Sequence, residues 1–243
     1  MPLTSYELRR LATMAIMPAL YGEVRALIRE FVPDGASVLD VGGRKSWYTI
    51  GLPITVTISD IPRSDEIQHD LQLGMTPAIT TALQHQRSNV TGVVIDDMAA
   101  TALPPASYDA IVSVEVIEHV DDDAAFVANL YQTLKPGGVA ILTTPNGDHD
   151  PIPRGDHRRH YRRKQLEDLL ARSFDDVRVG YAVAATPARM RGLASLDPRQ
   201  PGRTVKAILG NVTNRMESGR PAVPFSASDT GNLLAVAFRR EEG

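Results

Sequence analysis

Val38-Leu39-Asp40-Val41-Gly42-Gly43 is a short apolar run that ends in paired glycines. Ahead of it, Leu20, Val24, Leu27, Ile28 and Phe31 recur at helical spacing until Pro33-Asp34-Gly35 stops them. The run therefore reads as a buried strand, entered from a helix and left through a tight turn. Glycine at such a turn lets backbone approach a ligand, and open α/β sheets bind ligands at the carboxyl edge of their strands. Working outward, residues 55–59, 92–95, 110–114 and 139–143 read as further strands. Residues 123–134 form an amphipathic helix with Phe126, Val127, Leu130 and Leu134 on one stripe. Apolar β-branched runs alternating with helical patterns predict parallel βαβ units.

Asp60 closes the second strand, eighteen positions beyond Gly42, a spacing that suits a carboxylate accepting from two ribose hydroxyls. The loop lacks the full G-x-G-x-x-G fingerprint, because Arg44, Lys45 and Ser46 stand where further glycines belong. That disfavours a dinucleotide pyrophosphate.

Composition narrows the chemistry. With no cysteine among 243 residues, disulfides, thiolate metal sites and cysteine nucleophiles are excluded. A net charge of −3 removes bulk attraction to nucleic acid or anionic lipid as an organising force. Hydrophobic content of 43% supports a substantial core. Glu7, Arg9, Arg10 and Pro18 interrupt the first residues, which fit neither a signal peptide nor a spanning helix, and no transmembrane segment follows. The expectation is a soluble cytoplasmic chain. Residues 1–18 read as a helical extension of a single domain, and the proline-rich residues 182–230 as an insertion or lid. Within that lid Val205, Ile208, Leu209, Val212 and Met216 form a stripe expected to face the core, weakened by Gly210. Lone histidines at 69, 85 and 149 carry no partner pattern.

Taken in order, VLDVGG, TVTISDIP, VVIDDMAATALPPASYDAIVSVEVIEHV and LKPGGVAILTTPN, followed by HRRHYRRKQLEDLLARSF, resemble the class I S-adenosylmethionine-dependent methyltransferases over roughly residues 19–181. The resemblance implies a Rossmann-like, doubly wound α/β fold with a seven-stranded, mostly parallel sheet of order 3-2-1-4-5-7-6. Strand 7 is antiparallel, with residues 177–181 as strand 6 and 233–238 as strand 7. It implies S-adenosyl-L-methionine as cofactor. Asp40, Gly42 and Gly43 would line its methionine part, Asp60 would hold the ribose, and Ile61 would lie against the adenine. Asp96 or Asp97, the latter preferred, would receive the adenine amino group, with Met98 beside it.

Past the fourth strand, Glu115, Glu118 and His119 stand at i, i+3 and i+4, one face of a single helical turn. Two carboxylates and an imidazole suit a divalent cation such as Mg2+. The Glu-x-x-Glu-His spacing resembles the metal-binding motif of the ubiquinone-biosynthesis O-methyltransferases, in which the cation orients and acidifies a hydroxyl. An imidazole also suits a general base near neutral pH, which makes His119, with Glu115, the catalytic candidate. Arg154 to Lys164 is a basic run interleaved with His157, His160 and Tyr161, the candidate substrate residues; its arginines would suit a phosphate-bearing small-molecule acceptor. Thr144-Pro145-Asn146-Gly147 lacks the Asx-Pro-Pro-aromatic grip on a flipped base, so a DNA substrate is not expected. The leading expectation is O-methylation of a small hydroxylated metabolite, a sugar, glycoconjugate or phenol. The rivals are N-methylation and cofactor binding without turnover.

Overall fold

The computed structural model describes residues 2–62, 74–153, 155–193, 199–219 and 226–241. His69, Arg154, Pro198, Pro221 and Pro224 lie outside the described residues. Seven strands form one sheet: β1 (Ser37–Val41), β2 (Thr55–Asp60), β3 (Val90–Ile95), β4 (Tyr108–Val114), β5 (Leu134–Pro145), β6 (Asp176–Ala184) and β7 (Thr230–Phe238). Their order is β3-β2-β1-β4-β5-β7-β6. The first five pair in parallel, while β7 runs antiparallel to both β5 and β6.

Successive side chains of a strand point to opposite faces, so a strand covered on both sides needs apolar residues throughout. In β1, Leu39 joins one core with Phe126, Leu130, Leu166 and Leu170, while its neighbour Val38 joins the other with Val24, Ile28 and Leu83. Ile111 and Val112 of β4 divide in the same way. The helices that supply these faces are α2 (Ala19–Phe31) and α3 (Pro77–Gln86) on one side, α4 (Asp123–Thr133) and α5 (Arg163–Leu170) on the other. Side-chain caps start two of them: Thr76 accepts from the Ile79 amide at 3.4 Å, with Pro77 beginning the helix, and Asp122 accepts from Ala125 at 2.9 Å. The preceding α1 (Ser5–Ala12) opens with a Thr4–Glu7 capping box; the fully buried Glu7 also accepts from the Ser88 amide.

Between β6 and β7 run α6 (Pro187–Gly192) and α7 (Pro201–Ser218). At about 100° per residue, Val205, Leu209, Val212 and Met216 share one face of α7. The sequence pattern predicts that face to be buried, yet all four are exposed, and the buried face is the opposite one: Ala207, Gly210, Asn211 and Asn214. The reason is polar anchoring. Asn211 Nδ2 donates to the Ile16 carbonyl at 2.9 Å, Asn214 Nδ2 to Ala184 at 2.8 Å, and Arg215 Nη2 to Met14 and Met17. Gly210 is required for close approach, since a Cβ there would stand 2.8 Å from the Ala188 carbonyl and the Gly192 nitrogen. No helix among the described residues is long and apolar enough to cross a membrane.

Candidate functional site

Parallel register brings the carboxyl ends of β1, β2, β3 and β4 to one edge: Val41 lies beside Ser59 and Ser113, and Asp60 beside Ile95. Gly42 leaves β1 with φ +70°, a left-handed conformation natural only to glycine, and its amide donates to Ser59 O at 2.8 Å. A Cβ on Gly42 would meet Val116 Cγ2 at 2.6 Å. The turn then folds Gly43 tightly over the Asp40 carboxyl group.

Asp40 is fully buried and accepts from Tyr48 Oη at 2.8 Å and Thr49 Oγ1 at 3.5 Å. Its carboxylate is thus enclosed beneath the turn, which corrects the expectation that it lines the crevice: it buttresses the loop. The loop is closed by Arg87, itself buried, whose Nη2 donates to Thr49 Oγ1 at 2.7 Å and Nη1 to Ser46 O at 3.1 Å. No glycine is needed at 44–46, because none of these positions has a positive φ, and Arg87 holds the loop from behind.

Burial pushes the Asp40 carboxyl up to about 6, from an ordinary 3.8, against the opposing hydrogen bonds of Ser46, Tyr48 and Thr49 and the charge of Arg87. Between pH 4 and 6 the native state then binds more protons than the unfolded chain, so stability falls as pH rises through that window. Two units amount to about 3 kcal/mol. Urea unfolding of wild type and Asp40→Asn at pH 4 and pH 7 is expected to show their stability difference changing by that order, with the wild type losing more; a pH-independent difference would contradict the assignment.

At the neighbouring strand ends, Asp60 Oδ1 accepts from the Ile61 amide at 2.9 Å, and Ile61 is exposed. Asp96 is committed: Oδ2 accepts from Thr101 Oγ1 at 2.7 Å and Oδ1 from the Ala102 amide at 3.0 Å. Asp97 is exposed and caps the turn at Met98–Ala100 through Oδ1. Met98 is buried in the core beside α4, which corrects its expected place along the crevice.

The acidic motif departs most from its expected geometry. Glu115 has φ +56°, so it is not the start of a helical turn; the short 3-10 turn begins only at Ile117 and ends at His119. The kink sends Glu115 toward β5 and β7, where Oε1 accepts from Thr143 Oγ1 at 2.9 Å and Oε2 from Asn232 Nδ2 at 3.0 Å. Glu118, fully buried, accepts from Thr144 Oγ1 through Oε2 at 3.0 Å, while its buried Oε1 has no hydrogen-bond partner among the described residues. Burial, with the Glu115 carboxylate nearby, pushes the Glu118 carboxyl well above the usual range.

Donor atoms of Glu118, His119 and His157 lie within 4.8 Å of one another, and Glu115 is not in that group. The expected Glu115–Glu118–His119 metal set is corrected accordingly. His160 Nδ1 lies 2.6 Å from the Asp150 carbonyl, which can only accept, so His160 Nε2 is the acceptor in the neutral ring. His157 Nδ1, 2.8 Å away, donates to it, leaving the His157 Nε2 lone pair free of that chain. His119 Nδ1 faces Asp156 Oδ2 at 3.2 Å, which likewise directs the lone pair to Nε2, 4.0 Å from Glu118 Oε1. Two imidazole lone pairs and a carboxyl oxygen therefore converge. Burial and the neighbouring rings of His119 and His160 lower the pKa of His157.

Tyr161 is buried, its hydroxyl donating to Asp123 Oδ2 at 2.7 Å, which makes it an anchor and corrects its placement as a substrate residue. Among the described residues of the basic run, four cations are paired: Arg158 with Asp121, Arg159 with Asp123, Arg163 with Glu167 and Lys164 with Asp168. Sequence reasoning missed Tyr48, Arg87, Asp156 and Asn232. Only Tyr48 and Asp156 stood close enough in the chain to Asp40 and His157 to signal a partnership.

Residues 16–173 match the family described as "Methyltransferase domain". A "Probable S-adenosylmethionine-dependent methyltransferase" of Mycolicibacterium smegmatis is 34% identical over 119 residues, 46% of this chain and 44% of that protein. The "Ubiquinone biosynthesis O-methyltransferase" of Rickettsia canadensis is 31% identical over 112 residues, 45% of this chain and 42% of that one. The chain spans about half the length of the curated relatives it matches. Among solved structures, Haemonchus contortus phosphoethanolamine N-methyltransferase 2 in complex with S-adenosyl-L-methionine superposes with a TM-score of 0.60 at 16% identity, over 93% of this chain and 54% of that one. That likeness is one of fold.

Proposed function

The chain belongs to the methyltransferase-domain family, and we propose that it transfers the methyl group of S-adenosyl-L-methionine to a hydroxyl of a small acceptor. The observation that carries this reading is the left-handed Gly42 turn stapled to β2, with Asp60 and Ile61 at the adjacent strand tip. The backbone of the Gly42–Gly43 turn borders the methionine part, Asp60 accepts from the ribose, and Ile61 offers an exposed apolar contact for adenine. Asp97 takes the adenine amino group, since it is the more exposed of the two and engages its own turn through Oδ1, whereas Asp96 already accepts on both oxygens.

S-adenosyl-L-methionine, when bound, would supply a methyl group activated by its sulfonium and would leave as a neutral thioether once the acceptor oxygen has taken the methyl; His119 Nε2 would accept the proton that the acceptor hydroxyl gives up. Aligning the two reactants supplies much of the rate, and proton removal the rest. The relatives in ubiquinone biosynthesis support an oxygen acceptor. Calorimetry is expected to show S-adenosylmethionine binding and no binding of a nicotinamide dinucleotide. Asp60→Ala should weaken the cofactor by roughly 1–3 kcal/mol, the value of a lost charge-assisted hydrogen bond; unchanged affinity would remove Asp60 from the site.

A second reading is favoured by the partnerless Glu118 oxygen. Glu118, His119 and His157 fit a borderline divalent cation better than Mg2+, because two of the three donors are imidazole nitrogens. Such a cation, when bound, supplies orientation and acidification of the acceptor hydroxyl. Asp156 and His160 then orient the two rings through their Nδ1 atoms.

A further inference from the structure

A cavity of about 100 Å³ opens between the lid and the first turn of α2, lined among others by Leu20, Tyr21, Glu115, Val183, Arg189 and Asn232. Arg189 comes from α6, and no carboxylate among the described residues lies within ion-pair distance of it. Its Nη2 donates to Asn232 Oδ1 at 3.1 Å and to Gly231 O at 3.4 Å. Asn232 in turn donates to Glu115, so the amide stands between the cation and the nearest anion and keeps them apart. A guanidinium partly withdrawn from water, its charge met only at longer range by Glu115, can take a closer anion; burial lowers its pKa and the Glu115 charge opposes this.

Two further features lie on the same walls. The first turn of α2 has no side-chain cap and no acidic residue, and although the Tyr21 amide donates to the Pro18 carbonyl, the positive end of the helix favours negative charge there. Among the described residues, the non-glycine positions with positive φ are Ala106, Glu115 and Val183, and two of these three border this cavity. Val183, β-branched at φ +63°, is the more strained, and such strain gathers where a ligand is gripped.

We propose that this cavity holds a carboxylate of the methyl acceptor, clamped by Arg189 and the first turn of α2, with Glu115 beside the adjoining hydroxyl. The term acceptor rests on the methyltransferase reading; the oxyanion site does not. The Glu115 carboxylate disfavours a second negative charge, so a monoanion fits better than a phosphate. The size admits a carboxylate and its neighbouring atoms.

Ligand-observed NMR on the full chain tests this with glycolate, ethylene glycol and inorganic phosphate. Glycolate is expected to bind saturably, ethylene glycol not at all, and phosphate at least tenfold more weakly. Arg189→Met should weaken glycolate tenfold or more and Arg189→Lys should recover part of that, with S-adenosylhomocysteine affinity and melting temperature held in both. Equal binding of ethylene glycol, or glycolate retained by Arg189→Met, overturns the proposal, and tighter phosphate overturns the carboxylate. Should Arg189→Met not fold, Arg189→Lys alone must still shift glycolate affinity, or the proposal fails. Glycolate binding without any binding of S-adenosylhomocysteine would refute the methyltransferase reading and leave the oxyanion site standing.

Discussion

Arg87→Met is expected to cost about 3–5 kcal/mol of stability, the usual penalty for removing one partner of a buried charged pair. For a chain of this length that corresponds to a fall of roughly 10 °C in melting temperature. Arg87 is buried, donates to Ser46, Thr49 and Asn89, and stabilises Asp40 through its charge. Its own desolvation lowers its pKa, and Asp40 and Glu7 are the leading charges that oppose this. Methionine fills much of the volume and returns none of the donors. Asp40 then keeps Tyr48 and loses its cation, while Ser46 O loses its Arg87 donor.

Adding Asp40→Asn to Arg87→Met should recover much of the loss, because replacing both members of a buried pair is far milder than removing one. A double-mutant cycle by urea denaturation is expected to give a coupling energy of about 2 kcal/mol or more. Strict additivity would show that the two charges do not sense each other across Thr49. Since the same residues hold 43–49 in place, Arg87→Met should also weaken S-adenosylmethionine, by an amount that the double variant only partly restores.

This network shows where sequence reading stops. The strand at 37–41 and its glycine turn were legible because burial on both faces demands continuous apolar residues, and β4 was legible for the same reason. The sheet order came from resemblance, and the structure has the same order. What supports the turn lies 41 positions away at Arg87, and no local pattern links the two. Glu115 was misread because the i, i+3, i+4 rule presumes helical backbone, which its positive φ breaks. Asn232 reaches Glu115 only through the antiparallel register that sets it opposite Pro145. On α7 the apolar stripe attracted attention, yet asparagines bonding to free carbonyls decided which face is buried.

His119→Ala should lower turnover by on the order of a hundredfold or more, the contribution expected of a positioned general base, with cofactor affinity little changed. Asp156 directs its lone pair to Nε2, and the ring is only a third exposed, open enough to meet an acceptor. His157 stands edge-on at 4.7 Å between ring centroids and carries a similar lone pair, so its own removal separates the two readings of the cluster. If His119 acts alone as base, His157→Ala lowers turnover by less than tenfold and a chelator does nothing. If the cluster binds a cation, both alanine variants fall together, a chelator reproduces them, and cobalt(II) added to the wild type gives visible d–d absorption that either variant abolishes. Full turnover in His119→Ala would dismiss both readings, because each needs that nitrogen. Glu118 supplies the finer discrimination. Its Oε1 has no partner among the described residues, so Glu118→Gln, which keeps an acceptor for Thr144, should spare a base mechanism and abolish the cobalt spectrum.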